Sequence, residues 1–189
     1  MSSVKKICIC SFCVALCYVL PPAFHALALG SLFSPMHLPV LLCGLLCGWP
    51  YGAFCGVAGP LISSLLSGMP GPAMLVHMVP ELCAYGLAAG LGMKLIRTGK
   101  TVADIYLSLL PAMVLGRIVG GVAQALFYLS NAQGYSLAMW AGAYIVGTLP
   151  GVILQLVVLP ALVWGLTRAR LIPERYPAGE ADGLGQRAG

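Results

Sequence analysis

Charge is what this chain has least of. Only 8% of its residues are charged and just five are acidic, against 60% hydrophobic residues and a mean hydropathy of +0.95. A water-soluble domain carries roughly a quarter charged residues, and so little polar surface cannot cover a fold in water. The chain therefore reads as an integral membrane protein. Other absences narrow its function. No GxxxxGK followed by Ser or Thr occurs, so the chain has no phosphate-cradling loop with which to hydrolyse ATP itself. No His-Glu-x-x-His pair of helical ligands occurs either, which argues against an intramembrane metalloprotease. The net charge of +5 comes from basic residues beside apolar segments, not from a patch interleaved with aromatics, which argues against nucleic acid as a partner. No small-residue cleavage site follows Lys5 and Lys6 before Pro21 and Pro22, so the first apolar run is a membrane helix and not a signal peptide.

The apolar segments that are present run about Ile7 to Leu29, Leu38 to Gly48, Tyr51 to Leu66, Ala73 to Leu95, Val102 to Tyr128 and Leu137 to Thr167. This predicts an all-α, six-helix transmembrane bundle over residues 1–170, followed by a disordered, Gly- and Ala-rich cytoplasmic tail over 171–189. Nine of the ten Lys and Arg fall in three groups: Lys5 and Lys6; Lys94, Arg97 and Lys100; Arg168, Arg170, Arg175 and Arg187. If basic loops stay cytoplasmic, all three groups and both termini share that side. The Gly48-Trp49-Pro50-Tyr51-Gly52 break is then a hairpin, because a kink would leave an odd number of crossings. Outer loops are expected near Gly30 to His37, Ser67 to Met78 and Leu129 to Ser136.

Ionisable groups inside apolar helices cost about 2.5 to 3.5 kcal/mol each on insertion scales, so the few that occur need a reason. Glu81 falls in the fourth helix and Arg117 near the middle of the fifth; adjacent helices would let them pair with each other, orient a polar ligand, or do both. Tyr85 follows Glu81 by four residues and shares its face, suiting either a ligand contact or an interfacial anchor. Thr101 and Asp104 read as a capping box, with no ligand role. His25, His37 and His77 map toward the outer side. His37 is the strongest candidate among them, because Pro35 and Pro39 stiffen the chain around it and present its imidazole at a helix entrance. Gln124, seven residues after Arg117, lies on the same face; Asn131 and Gln133 follow in the next loop, and Trp140 and Gln155 belong to the last helix. Eight cysteines show no zinc-type spacing; Cys13 with Cys17 and Cys43 with Cys47 share helix faces and are expected to act as small hydrophobes.

In order and spacing, a series of short strings resembles the substrate-binding S components of energy-coupling-factor (ECF) vitamin transporters. The strings are Phe24-His25, Ser34-Pro35-Met36-His37-Leu38-Pro39, Tyr51-Gly52, Gly68-Met69-Pro70, Glu81-Leu82, Tyr85-Gly86, Gly116-Arg117 and Pro150 to Gln155 with Pro160. The resemblance spans about Ser11 to Leu166. It implies a plasma-membrane subunit that binds a micronutrient from outside, in a pocket built from the first loop and helices four to six. The expected contacts are His37, Glu81, Tyr85, Arg117, Gln124, Asn131 and Gln155. It further implies that the loaded subunit reorients in the bilayer against a transmembrane coupling protein driven by two ATPase subunits. No catalytic residue, cofactor or metal is implied. Small residues four apart on helix one dock family members on the coupling protein, and Ser11 and Ala15 hold that spacing here; the family more often has Ala at both, and ordinary packing would suit this pair as well.

The resemblance covers pantothenate, riboflavin, folates, cobalamin-related compounds and queuosine precursors. Arg117 with Glu81 suits a ligand bearing a carboxylate and a donor, such as pantothenate. Met36-His37 and the other histidines motivate an alternative, nickel or cobalt uptake. The metal-transporting relatives place His at the extreme N terminus, where this chain has Ser2. An intramembrane metal-dependent enzyme is the more remote alternative.

Overall fold

A computed structural model of the chain describes residues 1–26, 35–131, 136–142, 147–173 and 175–176. Among them the ordered elements are all helices: α1 Ser3–Ala26, α2 His37–Cys47, α3 Trp49–Ser67, α4 Pro72–Leu95, α5 Thr101–Ser130, the short α6 Leu137–Ala141, and α7 Leu149–Arg168. Proline opens three of them, Pro50 in α3, Pro72 in α4 and Pro150 in α7. At the first helical turn its missing N–H costs nothing and its fixed φ suits the helix. Four helices, α1, α4, α5 and α7, are long and apolar enough to cross a bilayer. At 11 residues α2 is about 16 Å long, half a hydrocarbon core.

The expectation of six helices needs one correction. The segment from 137 to 167, expected as a single helix, holds two described helices, α6 Leu137–Ala141 and α7 Leu149–Arg168, and residues 143–146 lie outside the described residues. Pro150 has no N–H with which to continue a helix from upstream, and it sits in the first turn of α7, where its fixed φ suits a helix start.

At Gly48 the chain reverses within one residue, with φ +94°, in the left-handed region that glycine alone enters freely. Here α3 folds back along α2, since a Cβ on Gly52 would lie 2.7 Å from the Gly44 Cα. The break is a hairpin. Both glycines also meet Gly86 of α4, whose carbonyl oxygen would be 2.5 Å from a Cβ on Gly44. Farther along, Gly56 abuts the Leu82 carbonyl and Gly90 the Trp49 backbone. Small residues at four-residue spacing thus let α2, α3 and α4 touch main chain to main chain, where van der Waals packing drives association in lipid. On the other side of α2 and α3, Cys10, Cys13, Cys17, Cys43, Cys47 and Cys55 are buried, with Cys17 packed on Gly59. They fill space too narrow for larger side chains.

One end of the bundle collects the basic groups. The Cys47 thiol donates to the Lys6 carbonyl (3.6 Å), and the Lys6 ammonium lies 5.9 Å from the Tyr51 ring centroid. Arg175, beyond α7, donates to the Asp104 carboxylate (2.6 Å) and to the carbonyls of Met93 (2.6 Å) and Ile96. The start of α1, the α2–α3 turn, the α4–α5 connection and the segment after α7 therefore share that end.

Asp104 corrects a second expectation. The cap of α5 is Lys100, with no side-chain cap bond, and Asp104 forms no box with Thr101. Its Oδ1 accepts from the Thr98 N–H (2.8 Å) and hydroxyl (2.7 Å), and its Oδ2 from Arg175 and the Tyr176 hydroxyl. Arg175 and Tyr176 fall in the stretch expected to be a disordered tail, yet they are fastened to the bundle; 177–189 lie outside the described residues.

Candidate functional site

In the half of the bundle away from the basic end, α2, α4 and α5 bring four of the expected side chains together. His37 is the first residue of α2, and the preceding turn is tied to α1 by the Cys17 thiol, which donates to the Met36 carbonyl (3.8 Å). The imidazole Nε2 of His37 lies 3.3 Å from Glu81 Oε1, and both residues are buried. One turn along α4, the buried Tyr85 ring meets the His37 ring edge-on, with centroids 5.0 Å apart and planes at 71°. From α5, Arg117 Nε donates to the Tyr85 hydroxyl at 3.2 Å. The Trp140 indole N–H of α6 donates in turn to the Arg117 carbonyl at 3.4 Å.

Glycines of α5 make this closeness possible. A Cβ on Gly116 would stand 2.8 Å from the Tyr85 ring, one on Gly120 2.7 Å from Glu81 Oε2, and one on Gly121 against the Trp140 indole. Leu115-Gly116-Arg117-Ile118-Val119-Gly120-Gly121 is therefore a seat for an acid and two aromatics as well as the carrier of a cation.

One hydrogen-bonding atom of the cluster stays unspent. His37 Nδ1 is buried and has no partner among the described residues. With Nε2 facing a carboxylate, Nδ1 of a neutral ring is an acceptor and that of an imidazolium a donor. A buried nitrogen of either kind calls for a partner. The cluster thus offers an acid–base pair, a phenol and a guanidinium within one small volume, together able to take a polar ligand out of water.

Glu81 pairs with His37, and Arg117 reaches Tyr85, so the expected Glu81–Arg117 approach is bridged by the phenol. Gln155 is buried on α7 and Gln124 half-buried on α5. Asn131 is not gathered in: it is exposed at the end of α5, and its amide donates to the Phe127 carbonyl (2.8 Å). Ser11 and Ala15 are exposed on α1, opposite the buried Cys10, Cys13 and Cys17. The His25 side chain and Gln133 lie outside the described residues. Trp140 and the glycines of α5 are contributors that sequence reasoning did not assign; the Gly116–Gly120 spacing was their visible signal. Among the described residues no group of His, Cys, Asp or Glu is arranged to hold a metal ion.

An apolar helical bundle with a buried polar cluster in one half and basic groups gathered at the opposite end is the build of a multi-pass membrane transport component. The chain belongs to the family of ECF transporter substrate-specific components, whose model matches residues 5–163. No curated protein and no solved structure matches it. Membership makes the chain a transport subunit of the plasma membrane that takes up a small-molecule substrate in association with an ECF module.

Proposed function

We propose that this subunit binds a water-soluble vitamin or vitamin precursor from outside the cell, at the cluster of His37, Glu81, Tyr85 and Arg117. The observation that carries the reading is the buried His37–Glu81 pair with its unpartnered Nδ1. A purely structural ion pair gains nothing by leaving a buried nitrogen unmatched, whereas a ligand site needs such an atom. The basic end faces the cytoplasm with both termini, in keeping with the bias of Lys and Arg, so the cluster lies in the outer half. Gln124 and Gln155 extend the pocket from α5 and α7. A ligand with an anionic group and a hydrogen-bond donor, as in pantothenate, complements the guanidinium at one end and the acid–base pair at the other. The outward small-residue face of α1 at Ser11 and Ala15 docks on a transmembrane coupling protein, and two partner ATPase subunits drive the cycle.

Mass spectrometry of the small molecule released on denaturing the protein, purified in mild detergent from cells grown on rich medium, tests this. The expected result is one vitamin or precursor near one-to-one stoichiometry. A bound metal in its place, or a protein that is empty and copurifies with no ATPase-bearing complex, would overturn the reading.

A further inference from the structure

The segment beyond α7 carries a feature that the vitamin reading does not use and that lies past the family-matched residues. Asp104 is wholly buried, and both carboxylate oxygens are engaged. Burying a carboxylate is costly unless it is paired and hydrogen-bonded. The guanidinium that pairs with it also takes up the Met93 and Ile96 carbonyls at the end of α4, where a cation complements the helix terminus. One side chain thus joins the end of α4, the start of α5 and the continuation of α7.

Among the described residues, the other contacts of α7 are few. Its buried residues form one narrow stripe, Gly151, Gln155, Leu159, Pro160 and Val163. The Tyr106 hydroxyl donates to the Leu156 carbonyl (3.1 Å) as a polar tie to α5. Near the lock, a cavity of about 140 Å³ lies between Leu45, Met93, Val163, Thr167 and Ile172. Packing is incomplete where α7 ends, and the polar lock adds to the buried apolar contacts of Val163 and Ile172 there.

We propose that Arg175, with Asp104 and Tyr176, is a releasable clamp that sets whether α7 lies against the α2–α5 body or swings from it, carrying the Gln155 wall along. A buried ion pair suits this role better than a stabilising one, because such pairs contribute little net stability yet cost much when one partner is removed.

The test is double electron–electron resonance on the full chain in nanodiscs. Nitroxide-bearing noncanonical residues spare the native cysteines and are placed at the exposed positions Val157 of α7 and Phe54 of α3, with a control pair at Met74 of α4 and Val114 of α5. Arg175→Gln is expected to broaden or shift the 54–157 distances by on the order of one helical turn, about 5 Å, and to leave the 74–114 distances as in the native chain. Arg175→Lys, which keeps the charge but not the fork, is expected to give an intermediate distribution. Native-like 54–157 distances in Arg175→Gln would overturn the clamp. So would parallel broadening of both pairs, which would mark general loosening of the bundle.

Discussion

His37 Nε2 and Glu81 Oε1 sit 3.3 Å apart, joined across 44 residues of chain, and both side chains are buried. Removing one member leaves the other without its partner in an apolar surround, which typically costs about 3–5 kcal/mol when a buried pair is broken. His37→Ala and Glu81→Ala are therefore each expected to lower the thermal midpoint of the detergent-solubilised protein and to abolish ligand retention. Glu81→Gln, which keeps a hydrogen-bond acceptor without the charge, should recover more of the stability than of the binding. Thermal melts alongside mass spectrometry of retained ligand check this; unchanged retention in His37→Ala would remove the pair from the site.

Tyr85 bridges the acid and the guanidinium. Tyr85→Phe deletes the acceptor of the Arg117 hydrogen bond while leaving the edge-on contact with His37, and should cost about 1 kcal/mol of stability. Arg117→Ala is expected to weaken ligand binding by roughly 100-fold, in line with the loss of a hot-spot charge of about 2–3 kcal/mol. Isothermal titration with the identified ligand, starting with pantothenate as the probe, measures both.

Along α5, glycine substitutions should separate the site from the scaffold. Gly120→Ala drives a methyl group to 2.7 Å from Glu81 Oε2, and Gly116→Ala drives one to 2.8 Å from the Tyr85 ring. Each is an overpacking change worth about 1–3 kcal/mol, and each should displace a ligand contact. Gly165→Ala, on α7 with open space around it, should be silent in the same melting and binding assays.

For Ser11 and Ala15, the expectation is a split phenotype. Replacing both with Leu adds bulk on an exposed face of α1, away from the cluster. Ligand retention should stay native while copurification with the ATPase-bearing complex is lost. Retained copurification would return the two residues to ordinary lipid-facing surface.

Much of this architecture is legible in the sequence because it rests on local rules. Gly48 and Pro50 announce a helix stop and a helix start, and the three basic groups announce a shared end. Cys13 and Cys17 read as spacing-matched filler from their place in an apolar run. The partners of Glu81 and Asp104 were not legible for a common reason. Glu81 finds His37 at a separation of 44, and Asp104 finds Arg175 at 71. Such choices depend on helix rotation and register, which no single segment encodes. The fresh start of α7 at Leu149 was obscured because Leu137 to Thr167 keeps its apolar character throughout, and hydropathy registers a helix-opening proline such as Pro150 only weakly. His37 stood out by its flanking prolines, but the atom that matters, Nδ1, is singled out only by what surrounds it.

The meeting of Gly44, Gly52 and Gly86 has a consequence for how the site keeps its dimensions. His37 stands seven positions before Gly44 and Glu81 five before Gly86, so each half of the acid–base pair is indexed to the same three-way junction along a stiff helical arm. Where main chains touch directly there are no rotamers to hop and no side chain to compress. The junction acts as a jig, and the spacing between imidazole and carboxylate is inherited from backbone geometry. A methyl group added at Gly52 would have no flexible neighbour to yield to it. Such a substitution would register as a lost ligand, although it touches none.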